Sequence, residues 1–192
     1  MPPGLMGFPW SDDQSGRFFF ACFQPLRTSR RFGFLNSGLF ATSRAMKLIR
    51  FGDEGREEPG ILLPDGRLID ASGEFNDYDE GFFAMGGIES LAEWVADGCP
   101  GGAVVDPVVR LGPAVERPSK LVCIGKNYLE HAKELGEGIP TEPTIFMKAT
   151  SAWSGPTDDV IIPRGSTKLD YEVELAVVIG RTASYVDERE AM

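Results

Sequence analysis

Histidine is almost missing from this chain: His131 is the only one in 192 residues, so any imidazole chemistry has a single candidate. Cysteine is sparse too, at Cys22, Cys99 and Cys123 with no CxxC pair. That argues against a disulfide scaffold or a thiolate metal site and suits a reducing compartment. No apolar run approaches the ~18 residues of a bilayer-crossing helix. Positive charge is short, with 19 Lys and Arg against 29 Asp and Glu and a net charge of −10. A nucleic-acid backbone or an anionic membrane surface is therefore not expected as a partner. Gly86-Gly87 and Gly101-Gly102 lack the strand–glycine–helix frame and following Lys-Ser/Thr of a phosphate loop.

What is present is uneven. Residues 1–45 hold eight of the thirteen phenylalanines and carry five Arg against two Asp. From Met46 onward the formal charge is −13, so the first 45 residues look foreign to the rest. Arg17, Arg27 and Arg30-Arg31 interrupt any apolar centre of a secretory signal. The segment reads as a non-core extension, either upstream sequence from a wrongly chosen start or a transit-like segment. The expected location is cytoplasmic, or mitochondrial if residues 1–45 are a transit segment.

Met46 starts an orderly pattern. Lys47–Phe51 reads as a strand, and Gly60–Leu63 and Arg67–Asp70 form a hairpin around Pro64-Asp65-Gly66. Ile88, Leu91, Ala92 and Val95 give a helical stripe closed by Gly98. Proline and glycine gather from Gly112-Pro113 to Pro118, as in a linker. This divides the chain into a small N-terminal domain, 46–117, and a second unit, 118–192. The second opens with a strand Lys120–Gly125, then a short helix from about Asn127 to Leu135. Strands are expected at Thr144–Lys148, Val160–Ile162 and Tyr171–Ile179, and a helix start at Val186–Met192. The predicted class is α+β, mostly β.

The chemistry-bearing residues lie in the second unit. In an extended segment Glu172 and Glu174 share a face, their Cα atoms ~6.5 Å apart, so both can lean onto one ion. Carboxylates among apolar neighbours are costly to bury without a partner, and hard oxygen donors favour Mg²⁺, Mn²⁺ or Ca²⁺. The same Glu-x-Glu spacing also describes a solvated strand face. Asp170 is on that face, but ~13 Å from Glu174 at Cα it is too far to share the ion. His131 and Glu134, three apart, face one way on a helix, which suits a base and its orienting carboxylate or an ordinary surface pair. Lys148, ending a strand before Ala149-Thr-Ser-Ala152, could hold a substrate carboxylate or simply snorkel. Ser154-Gly-Pro-Thr-Asp-Asp159 reads as a turn.

Together, Val122-Cys-Ile-Gly-Lys-Asn-Tyr-Leu-Glu-His131, Thr144-Ile-Phe-Met-Lys148, Ser154-Gly-Pro156 and Asp170-Tyr-Glu-Val-Glu-Leu-Ala-Val-Val-Ile-Gly180 resemble the fumarylacetoacetate hydrolase family. Met46–Gly52, Leu68-Ile-Asp70 and Leu111-Gly-Pro113 are similar to the small N-terminal domain of its bacterial members. The resemblance implies a mixed β-sandwich-like roll, incomplete here, beside that small β-rich domain, and a homodimer in the full-length form. It implies hydrolysis of a carbon–carbon bond in diketo acids of acylpyruvate or fumarylpyruvate type. Relatives of the family that isomerise or decarboxylate 2-oxo acids, or act as ureidoglycolate lyases, leave the reaction open. By resemblance Glu172 and Glu174 are two of three carboxylate ligands to Mg²⁺ or Mn²⁺. His131 is then the base that activates water, Glu134 its partner, and Lys148 part of the pocket wall.

The resemblance puts the third ligand, an aspartate, in a segment that follows Glu174 beyond Met192. A fragment short of full activity is therefore expected, because Mg²⁺ prefers near-complete octahedral coordination. A non-catalytic protein that binds another subunit is the alternative of a different class. Its unpaired strands would make it prone to capture partners.

Overall fold

The computed structural model describes residues 46–134, 136 and 140–191, with the side chains of Leu129, His131 and Glu134 outside that description. The readings made of residues 1–45 also lie outside it. Six strands and three α-helices are described, a mixed α/β arrangement in which strands dominate.

Four strands form one antiparallel sheet in sequence order: β1 (Lys47–Phe51), β2 (Glu58–Leu62), β3 (Leu68–Asp70) and β4 (Val104–Val105). β1 runs against β2 with Ile49 opposite Gly60, and β2 against β3 with Ile61 opposite Ile69. The β2–β3 connection turns at Gly66, whose φ of 91° lies in the region open to glycine. Two helices cover one face. α1 (Glu80–Ala84) starts where the Asp79 carboxylate accepts from the Phe82 amide at 2.6 Å. It is too short for a periodic signal, so the sequence pattern passed over it. α2 (Gly87–Ala96) buries Ile88, Leu91 and Trp94.

Leu48, Ile61, Ile69 and Ala71 meet Tyr78, Phe82, Leu91 and Trp94 in the main core. Ile49, Phe51 and Leu68 pack with Val105, Val109 and Leu111 on the other face. Both faces of β1 are thus covered, and Arg50 is buried with them. Its guanidinium is held by a bidentate pair with Asp77, at 2.6 and 2.7 Å. Tyr78, fully buried, donates its hydroxyl to the Gly60 carbonyl at 2.9 Å.

The stretch expected as a linker is packed. Leu111 bridges Phe51, the Glu116 amide donates to the Tyr78 carbonyl, and Val115 is in the core. Glycine and proline here serve close packing, which composition alone does not distinguish from a free tether.

A second, two-stranded sheet pairs β5 (Leu121–Gly125) with β6 (Thr144–Lys148), antiparallel, with α3 (Leu129–Glu134) between them in sequence. α3 is shorter than the expected Asn127–Leu135, and Leu135 lies outside the described residues. A 3₁₀ turn, Thr150–Ala152, follows β6. The strands expected at Val160–Ile162 and Tyr171–Ile179 do not form among the described residues; the second region holds one bridge residue, Ala176. Alternating apolar residues suit a strand, but a strand also needs a hydrogen-bonded neighbour. At Val186–Met192 a turn replaces the expected helix start: the Asp187 carbonyl and carboxylate accept from the Glu190 and Arg189 amides. Met192 itself is outside the description.

Candidate active site

The candidate residues lie on three segments. β5 leads through Lys126, whose φ of 56° is left-handed and bends the chain sharply, into Tyr128 and α3. α3 therefore carries His131 and Glu134 on its backbone, three apart, while their side chains lie outside the described residues. Ala132, between them, is buried. Glu172 and Glu174 lie in a stretch that forms no strand, exposed to solvent, with no hydrogen bond or ion pair among the described residues. Lys148, also exposed, ends β6 opposite Leu121, whereas α3 departs beyond the Gly125–Thr144 rung. The ladder thus separates Lys148 from the start of that turn by ~13 Å.

One hydrogen bond brings the helix and the carboxylate segment together. The Leu175 amide donates to the Tyr128 hydroxyl at 3.2 Å, across 47 residues of chain. Glu174 is next to the donor and α3 begins next to the acceptor's residue. Tyr128 lies within the Val122–His131 motif, where residue type alone assigned it no role. Its phenol position beside a helix start was the available signal.

A second attachment was missed altogether. Arg110 holds the Asp158 carboxylate with Nε and Nη2, both at 2.7 Å, and donates through Nη1 to Glu57 at 2.9 Å and to the Gly52 carbonyl at 3.0 Å. Asp158 also accepts from the Gly155 amide, and the Trp153 indole donates to the Val115 carbonyl at 3.0 Å. Ser154–Asp159, read as a turn and no more, is docked on the N-terminal unit. Two isolated acids, Asp158 and Asp159, gave no hint of a partner some fifty residues earlier.

These ion pairs shift the carboxyls involved. The Arg110 hydrogen bond foremost holds Asp158 below the usual carboxylate range. At Glu57 burial pushes the carboxyl up, but Arg110, its own backbone amide and the Arg50 charge together outweigh it, and the net direction is down. A cavity of about 260 Å³ lies elsewhere, between Leu63, Ile69, Val95, Cys99 and Val104, and contains none of the candidate residues. Burial pushes the Cys99 thiol up, away from the reactive thiolate.

Glu172 and Glu174 offer the carboxylate oxygens a hard divalent ion takes, so the donors fit in kind. Among the described residues, no three His, Cys, Asp or Glu side chains gather as a ligand set. Two carboxylates alone would supply only part of a coordination shell.

Residues 120–192 match the family described as fumarylacetoacetate (FAA) hydrolase C-terminal. This segment belongs to that family. A 2,4-didehydro-3-deoxy-L-rhamnonate hydrolase from Sphingomonas sp. (strain SKA58) is 43% identical over 147 residues, 77% of this chain and 49% of the relative. A Burkholderia lata protein named only as a hydrolase is 42% identical over 147 residues, 77% of this chain and 51% of its own. The chain thus spans about half the length of the curated relatives it matches. A crystal structure of an HpcE protein from Mycobacterium smegmatis aligns at 25% identity and a TM-score of 0.45, over 62% of this chain and 41% of that one. At that score the likeness carries no structural inference.

Proposed function

We propose that this chain contributes the base and two metal-ligand positions of a fumarylacetoacetate hydrolase-type enzyme that cleaves a carbon–carbon bond in 2,4-dioxo acids. The observation that carries this is the Leu175–Tyr128 hydrogen bond, which sets the Glu172–Glu174 segment beside the helix bearing His131 and Glu134. The substrate class draws support from the Sphingomonas relative, whose name specifies a 2,4-didehydro-3-deoxy acid. Carbonyls at C2 and C4 of such an acid flank one methylene, the acylpyruvate pattern.

Glu172 and Glu174 would hold Mg²⁺ or Mn²⁺, which when bound supplies positive charge at the 2-oxo-acid end of the substrate. His131, oriented by Glu134, takes a proton from water, and the resulting hydroxide adds to the C4 carbonyl. The C3–C4 bond breaks with its electron pair on C3. A proton restores the methyl group of pyruvate, and the remainder leaves as a carboxylic acid. Lys148 offers its ammonium to the substrate carboxylate. The family resemblance further supports a roll-type second domain and a homodimer.

Two measurements test this reading on the full chain. Mn²⁺ titration followed by electron paramagnetic resonance is expected to show weak binding that disappears in Glu172→Gln/Glu174→Gln. Pyruvate release from acetylpyruvate is expected to require added Mg²⁺ or Mn²⁺ and to fall at least ~100-fold in His131→Ala. Mn²⁺ binding and turnover that both survive these changes would overturn it.

A further inference from the structure

The loop after β6 is gripped at three points within six residues. Trp153 packs against the main core and donates to the Val115 carbonyl. A Cβ built on Gly155 would collide with the Leu111 carbonyl oxygen, so the backbones of the two segments are nearly in contact. Asp158 accepts both arms of the Arg110 fork, and Arg110 is itself fixed by Glu57 and the Gly52 carbonyl. The chain on either side contrasts with this. Every residue of β6 is exposed, and so are residues 159–174. The loop is thus the fixed point of an otherwise solvent-facing stretch, five residues from Lys148.

We propose that Arg110 and Asp158 are positioning residues through which the N-terminal unit sets the place of Lys148 and the following turn for binding the substrate carboxylate. Apolar contact alone would hold the loop without fixing its register. A planar fork bonded to both oxygens of one carboxylate fixes direction and register together. The small domain then acts as a frame for the binding segment, although it supplies none of the candidate chemical groups. The inference rests on the hydrolase reading above for its ligand.

The test uses the full chain, Arg110→Lys, which keeps the charge but loses the fork, and Asp158→Asn as a milder second variant. Hydrogen exchange followed by mass spectrometry is expected to rise at least ~10-fold across 144–158 while β1–β3 keep their protection. The KM for acetylpyruvate is expected to rise roughly tenfold with kcat within about threefold, the pattern of a lost contact made equally in ground and transition states. The double variant Arg110→Lys/Asp158→Asn is expected to add little to either single change, because each already removes the same fork. Faster exchange with an unchanged KM would reduce the clasp to a structural tie and overturn the proposal, as would unchanged exchange in both variants. A parent chain that neither releases pyruvate nor binds oxalate would locate the failure in the hydrolase reading and remove the positioning claim with it.

Discussion

Leu175 and Tyr128, 47 residues apart, are joined by a hydrogen bond from the Leu175 amide to the Tyr128 hydroxyl. Tyr128→Phe deletes that acceptor and little else. The exposed bond contributes about 0.5–1 kcal/mol at most, so the melting temperature is expected to stay within a few degrees. Mn²⁺ affinity is expected to fall several-fold if the bond holds Glu174 beside α3. Differential scanning fluorimetry and Mn²⁺ titration on the same preparation separate the two effects.

Acid is expected to loosen the docked loop. The carboxyls of Glu57 and Asp158 are held below their ordinary values in the folded chain. Their stabilising contribution is complete above about pH 5, where the unfolded carboxyls are also ionised, and is lost as pH falls through the lowered native values. Urea midpoints measured from pH 6 to pH 3 are expected to decline, with a shallower slope in Glu57→Gln. That variant is expected to lose about 1–2 kcal/mol at neutral pH, since its amide oxygen can still accept from Arg110 but no longer carries the charge.

Gly155→Ala is expected to be far more disruptive than its single methyl suggests. The added carbon meets backbone atoms of Leu111 and Gly112, which cannot rotate away as a side chain would. Overpacking of this kind costs about 1–3 kcal/mol. Limited proteolysis is expected to cut near 150–160 in the variant before it cuts the N-terminal unit.

Leu91→Ala examines the main core independently of the site. Leu91 is fully buried between α2 and the sheet, and truncating such a leucine costs about 2–5 kcal/mol. Equilibrium urea denaturation is expected to show a loss in that range with no change in Mn²⁺ affinity relative to the residual folded fraction.

Three strands of the first sheet were legible because their signals are local, whereas the two-residue β4 was not. Lys47–Phe51 alternates toward both core faces, Pro64-Asp65-Gly66 supplies the turn, and Ile88, Leu91 and Val95 repeat at helical spacing. What escaped depends on contacts remote in sequence. Arg110 and Asp158 are 48 residues apart, and Trp153 and Val115 are 38 apart. Tyr171–Ile179 alternates apolar residues as a strand does, yet Val173 and Leu175 remain more than half exposed and the expected strand does not form among the described residues. At the candidate site the motif residues were visible by type and order. The Tyr128 bridge that brings two of those segments together was not, because a hydroxyl accepting one amide leaves no periodic trace.

Trp153 also gives the molecule its own optical gauge. Its ring packs against the core built from β1–β3, α1 and α2, while its backbone belongs to the loop after β6. With Trp10 and Trp94 replaced by phenylalanine, emission would come from this indole alone, and a red shift would time the release of that loop from the core in a rapid-mixing experiment without any attached dye.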